Sequence, residues 1–397
     1  MDIQFTAEQD LLRGSLQRLL RDQYDFEARR KIIATEHGFS QKHWEAFAEL
    51  GLLAAPFSEE VGGLGDSVLA NMIIMQEFGR HLVVEPFFET VVLAGGIIDQ
   101  AGTKAQREEF LPEIAAGKAT WALAWAETRS RYDLNHVATT AERHGQDYAI
   151  SGDKAVVIGA PWADRLIVSA RISGDPRDRG GVSLFIVDRQ SANLHLQSFK
   201  TIDGRRAAEI SLKGVRVPAS RMLGEEGEGV TILEAARDRA IAALCAEAVG
   251  AMTELNSATL EYTKTRKQFG VALGTFQVLQ HRMVDMFIAL QESISLTQHL
   301  NLALAENEPG SSKLASAAKS KIGDAARLVG EQAIQIHGGM GMSDELNVGH
   351  YFKRIAAINV QFGDPTYHLM RYAREMGLSH STSAAPAIRA RQPEEVS

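Results

Sequence analysis

YTKTRKQFGVALGTFQ, from Tyr262 to Gln277, and QIHGGMGM, from Gln335 to Met342, are the stretches on which the reading of this chain turns. Taken by composition, the first is the end of a helix stopped by Gly270. Its chemistry permits more. Arg266 is a fixed cation with five donors, suited to gripping a diphosphate. Gln268 adds a further donor, and Phe269 offers a flat apolar face.

Outward from these stretches the chain divides into zones. Residues 1–120 read as a helical domain. Thr6-Ala7-Glu8-Gln9 has the form of a capping box and predicts a helix over 10–24, with Leu11, Leu12, Leu16, Leu19 and Leu20 as its apolar face. A glycine-broken loop at 57–65 precedes a long apolar helix from Ser67. From 121 to 222 the period shortens. Strands are expected at 121–126, 148–150, 155–158, 166–169, 182–187 and 208–212, forming a β-barrel or sandwich. From 223 to 380 helices return, at 231–263, 277–304, 312–337 and 364–376, the pattern of an antiparallel four-helix bundle. Residues 381–397 lack apolar periodicity and are expected to be a disordered tail. The fold class is therefore α+β and multidomain.

With 397 residues, 45% of them hydrophobic and 23% charged, the chain has the composition of a globular protein with several domains. A net charge of −8 argues against nucleic acid and anionic membranes as partners. Cys245 is the only cysteine, which excludes an intramolecular disulfide and fits a reducing, cytoplasmic setting. No apolar run approaches the roughly 18 residues of a membrane helix, and the first residues have no apolar core of a secretory signal. His281, His299 and His337 lack metal-ligand spacing, so no metal is expected.

The three zones and the two opening stretches together resemble the acyl-CoA dehydrogenase family, across almost the whole chain. SLKGVRVPASRMLGEEGEG, from Ser211 to Gly229, is equally characteristic, and SGDKAVVIGAPWADRLIVSAR, from Ser151, is a looser match. AALCAEAVGAM and NVGHYFKR bring the chain nearest to the small-subunit type, paired with a large subunit in pimeloyl-CoA dehydrogenase. The resemblance implies FAD, an acyl-CoA substrate desaturated to a trans-2-enoyl-CoA, and an electron-transfer flavoprotein as acceptor. It favours acyl groups that are bulky or polar, such as dicarboxylyl or steroid-derived ones. It also implies that Arg266, Gln268 and Phe269 cross a dimer interface to hold the diphosphate of a neighbour's FAD. Gln277, Gln335, Gly338 and Gly339 match the positions that complete this contact, the glycines letting backbone approach the cofactor closely.

The positions that would hold the chain's own flavin depart from the family pattern. Ala126 replaces a threonine before Glu127, Val156 and Ile158 stand where tryptophan and threonine are usual, and Gln361-Phe362-Gly363-Asp364 replaces Tyr-Glu-Gly-Thr. Desaturation needs a carboxylate to remove the α-proton. The two family positions for it hold Phe362 and Ala240. Glu247 lies two helical turns, roughly 10 Å, beyond Ala240 and is the remaining candidate base, or else a buried partner for an arginine or lysine. Three functions stay open: the small, non-base-bearing (β) member of an α2β2 heterotetramer with a homologous large subunit; a self-sufficient homo-oligomer using Glu247; and a structural or acyl-CoA-binding subunit without flavin.

Overall fold

The capping box forms as its residues dictate: the Gln9 N–H donates to Thr6 Oγ1 (3.2 Å) and the Thr6 N–H to Gln9 Oε1 (3.0 Å). It starts α1 (Ala7–Gln23), which buries Leu16 and Leu20 but leaves Leu11 in solvent. The computed structural model describes residues 5–65 and 67–378, so the expected disordered tail lies outside the described residues. Next come α2 (Phe26–Ala34), α3 (Gln41–Glu49) and α4 (Ser67–His81). A π-helical run, Phe88–Gly95, leads into α5 (Gly96–Ala101), and α6 (Lys104–Ala115) closes the helical zone. The π-helical run is buried throughout. Wide turns of this kind are frequent at functional sites.

The middle zone is an eight-stranded sheet: β1 (Trp121–Ala124), β2 (Thr140–His144), β3 (Asp147–Ile158), β4 (Arg165–Arg171), β5 (Val182–Asp188), β6 (Leu194–Lys200), β7 (Arg206–Pro218) and β8 (Met222–Leu223). Their order is β6-β7-β3-β2-β4-β5-β8, with β1 parallel to β4. The two strands expected at 148–150 and 155–158 are one strand, β3, bent by two irregularities against β7. Three further strands lie outside the expected set: β2 and β6, with mostly exposed side chains and so no apolar signal, and the short β8.

The last zone contains α7 (Gly229–Thr265), a two-stranded hairpin of β9 (Lys267–Gln268) and β10 (Val271–Ala272), then α8 (Gln277–Ala305), α9 (Ser311–His337), α10 (Asn347–Val360) and α11 (Pro365–Glu375). α10 is an addition to the four helices expected. α7 meets α4 at backbone contact: a Cβ on Gly79 would lie 2.0 Å from the Glu247 carbonyl oxygen, and one on Gly250 2.0 Å from that of Gln76. One hydrophobic core runs through the N-terminal helices and the bundle, and the sheet packs a second of its own.

A buried ionic network joins all three zones. Arg354 of α10 donates through Nε and Nη2 to the two oxygens of Glu247, at 2.6 Å each, and through Nη1 to Asp203 Oδ2 at 2.8 Å. Arg205 Nη1 donates to Glu89 Oε1 at 2.9 Å, and its Nη2 lies 3.6 Å from Glu247 Oε1. Burial alone would lower the Arg354 pKa, but Glu247 and then Asp203 outweigh it and hold the guanidinium charged. Burial opposes ionisation of Asp203 too, yet Arg354 and Arg205 keep its carboxyl below the usual range. Glu247, a candidate base by sequence, is thus gripped at both oxygens by Arg354, the other alternative its position allowed.

Lys319 of α9 is also buried, and its Nζ donates to the Ile358 carbonyl at 2.6 Å, near the end of α10. Burial lowers its pKa from the ordinary 10.5 to about 8.

Two outcomes follow from these burials. Glu247→Ala leaves Arg354 Nε and Nη2 buried without acceptors, with Asp203 as the remaining partner of the guanidinium, and is expected to lower unfolding stability by about 3–5 kcal/mol in denaturant titration; a loss below about 1 kcal/mol, the scale of an exposed pair, would contradict the network's role. Lys319 binds its proton less tightly folded than unfolded, so its destabilising effect is full below pH 8 and fades as pH rises towards 10.5. Lys319→Met leaves the Ile358 carbonyl its Gln361 N–H. The stability gained by this variant over the parent should be largest below pH 8 and shrink above it. A difference that stays flat to pH 10.5 would show the lysine titrates normally.

Candidate functional site

Where the sheet, the π-helical run and α10 converge, the chain forms a cavity of about 650 Å³ that opens to solvent. Its shape starts from β3. The pairing of β3 with β7 slips between Lys154 and Val157, and Val156 takes φ +52°. A β-branched residue in that region is strained, and such strain clusters at functional sites. It leaves Val156 55% exposed at the cavity rim, across from Ile202 in the β6–β7 turn. The π-helical run contributes Phe88 and Glu89, and the segment after β1 contributes Trp125.

The loop after α10 fixes the innermost wall. Phe362 has φ +56° and Gly363 φ +121°. A Cβ on Gly363 would come within 2.6 Å of both Tyr367 and His368, so glycine is required there. Buried His368 donates from Nε2 to the Phe362 carbonyl at 3.0 Å; desolvation lowers its pKa to about 3, which keeps it neutral. Asp364 caps α11, accepting the Tyr367 N–H at 2.7 Å. Thus anchored, the Phe362 ring stacks on Trp125 (5.6 Å between centroids, 15° between planes) and meets Phe88 edge-on at 6.4 Å. An aromatic stack stands where the family pattern places a base.

Three of the four carboxylates that line the cavity are engaged in structure, and the fourth, Glu209, is exposed. Glu127 accepts from Lys154 Nζ at 2.7 Å and from the N–H groups of Ala138 and Thr139 at 2.8 and 3.1 Å. Burial would raise its pKa, but Lys154 and these bonds bring it below the usual range. Asp203 is held by Arg354, and Glu89 by Arg205 through one oxygen. The other oxygen of Glu89, Oε2, is buried without a hydrogen-bond partner, as is Gln361 Oε1. The wall residues Glu89, Asp203 and Ile202 were missed in the sequence, where nothing links these distant segments. Ala240 is fully buried in α7 and, like Glu247, is not part of the cavity lining.

The other expected site residues lie elsewhere, on the outer surface. β9 and β10 pair Gln268 with Val271, and the turn residues Phe269 and Gly270 have φ +55° and +82°. Two left-handed residues make the tight hairpin turn whose twist matches its strands. Phe269 is thereby presented at the tip, 91% exposed. Arg266, Gln268, Gln277, Gln335, Gly338 and Gly339 are exposed as well, and Arg266 has no ion-pair partner among the described residues. Tyr262 stacks on His337 at 4.3 Å, which brings the ends of α7 and α9, and with them the two motifs, together. Beside them α8 exposes Val278, Val284, Phe287 and Ile288. An apolar patch of this kind marks an interaction surface.

The two sets of residues fit a flavin cofactor differently. A free guanidinium, a side-chain amide and exposed glycines suit a diphosphate. The cavity suits an isoalloxazine ring, whose carbonyls and N5 call for donors, less well: Val156 and Ile158 of its wall have side chains without any donor.

Comparison with known proteins places these features in a family. Models of the acyl-CoA dehydrogenase N-terminal, middle and C-terminal domains match residues 6–118, 122–215 and 227–377. The mitochondrial long-chain specific acyl-CoA dehydrogenase of Mus musculus is 30% identical, over 85% of this chain and 79% of its own. The caffeyl-CoA reductase-Etf complex subunit CarC of Acetobacterium woodii is 27% identical, over 88% of this chain and 93% of its own. Among solved structures, the steroid ACAD Tcur3481-Tcur3483 superposes with a TM-score of 0.84 at 28% identity, covering 93% of this chain and 98% of that one. The chain belongs to the acyl-CoA dehydrogenase family of FAD-dependent oxidoreductases.

Proposed function

We propose that this chain is the non-base-bearing subunit of a heteromeric acyl-CoA dehydrogenase, and that it serves a flavin held mainly by a homologous large subunit. The observation that carries this reading is the split between two halves of one site. The Phe362–Trp125 stack fills the base position of the chain's own cavity, while Arg266, Gln268 and Phe269 stand exposed on the outer surface. Random loss would not sort residues in this way.

In the assembled enzyme, Arg266 and Gln268 grip the diphosphate of the partner's FAD, Phe269 packs against the cofactor, and Gln277, Gln335, Gly338 and Gly339 complete the contact. FAD, when bound, supplies the acceptor for the β-hydride, and the large subunit supplies the carboxylate that takes the α-proton. The apolar surface of α8, with Val284 and Ile288, continues the interface. The substrate is an acyl-CoA. A relative that is a steroid ACAD supports a bulky acyl group, and a relative named as part of an Etf complex supports an electron-transfer flavoprotein as acceptor. A chain with one cysteine, and with no helix among the described residues long and apolar enough to cross a membrane, fits work in the cytoplasm.

The self-sufficient reading, with Glu247 as base, is opposed by the Arg354 grip on both its oxygens. The flavin-free reading leaves the exposed arginine hairpin without a role.

Visible spectra of the chain, expressed alone and then with a large-subunit candidate, test the proposal: bound flavin and dehydrogenation are expected only in the co-expressed complex. Arg266→Ala in that complex should lower FAD affinity at least tenfold, about 1.4 kcal/mol, with no loss of subunit association. Stoichiometric flavin and full turnover from this chain alone would overturn the reading. Glu247→Gln, in a complex that still folds, should leave the pH profile of kcat unmoved; loss of its acidic limb would make Glu247 the base.

A further inference from the structure

Gly338 and Gly339 sit on the connection from α9 to α10, which has little core of its own: in residues 338–346 only Gly341 is buried. His350, near the start of α10, ties this connection to the N-terminal zone. The imidazole is out of solvent, and its two nitrogens have different partners. Nδ1 lies 3.1 Å from Arg29 Nη1, and Nε2 lies 3.1 Å from Asp344 Oδ1. A guanidinium can only donate, so Nδ1 is the acceptor. The ring proton is then on Nε2, directed at Asp344. Arg29 of α2, itself buried, also donates to the carbonyls of Leu82 at 2.8 Å and Asp203 at 3.1 Å. One neutral imidazole thus joins α2, the β6–β7 turn and the glycine connection.

The bridge exists in one protonation state. A second ring proton would set an N–H and a positive charge against the Arg29 guanidinium. Around the ring, α2 presents Arg29, with Arg30 turned to Glu27 and Phe26 packed edge-on at 4.9 Å. The connection presents Asp344, and α10 itself presents Lys353, 3.5 Å from Asp344. Burial and then Arg29 lower the His350 pKa from 6.5, while Asp344 opposes them. The bridge is therefore intact at pH 7 and is lost as pH falls below the ordinary imidazole value.

We propose that His350 is a positioning residue for the shared flavin: by bridging Arg29 and Asp344 it holds the Gly338–Gly339 backbone where that backbone meets the partner's FAD. This rests on the reading that the connection faces a neighbour's cofactor. It makes the grip on that cofactor depend on a proton held inside this chain.

The first half of the test uses the purified full chain. Protection of amides 338–346 from hydrogen exchange, corrected for the intrinsic effect of pH, should fall about fivefold from pH 7 to pH 5. His350→Gln keeps an acceptor and a donor but cannot titrate, and should make protection independent of pH. Asp344 is exposed, so Asp344→Ala keeps the fold and carries the test alone if the glutamine variant does not fold; it should lower protection already at pH 7. The second half uses the co-expressed complex. Its FAD dissociation constant should rise about fivefold in Asp344→Ala at pH 7, and by a similar factor in the parent, but not in His350→Gln, at pH 5. Protection that ignores both pH and Asp344→Ala would overturn the bridge. Protection that responds while FAD affinity does not would overturn the positioning role and leave the divided-site proposal standing. FAD affinity that ignores Arg266→Ala as well would overturn both.

Discussion

Arg354 is the charge around which the three zones of the molecule are arranged. Its guanidinium takes Glu247 from the long helix α7 on one side and Asp203 from the β6–β7 turn on the other, all three out of solvent. Arg205 extends the network to Glu89 in the π-helical run. In a low-dielectric interior no member can be left alone without a large desolvation penalty, so each fixes the position of the next. The cavity inherits its geometry from this network, since Glu89 and Asp203 belong both to the ionic cluster and to the wall.

Much of the fold was legible because its signals are local. Thr6 and Gln9 specify a helix start through atoms three residues apart, and the apolar periods of α7, α8 and α9 run long enough to be unambiguous. The failures share a cause too. β6, along the sheet edge, has hardly any buried side chain to write a pattern. In Phe88–Gly95 every residue is buried, so no polar face marks whether the turn is α or π. β3 reads as two strands because its bulge turns Val156 outward.

The candidate site was legible in one half and not in the other. Arg266, Gln268 and Phe269 lie in a continuous stretch, and a hairpin turn needs only neighbouring residues to present them. The cavity is assembled from segments far apart in the chain, so its partners cannot be read from spacing. Glu247 shows the difference. Its isolation in an apolar helix is visible in the sequence, but Arg354, which explains it, is more than a hundred residues away.

The backbone contact between α4 and α7 bears on what substitution the molecule tolerates. With Gly79 and Gly250 seated against carbonyls of the facing helix, no side-chain layer separates the N-terminal helices from the bundle there, and any larger residue at either position would force the two zones apart. The exposed side chains at the mouth of the cavity, Val156 and Ile202, belong to the sheet and not to this seam.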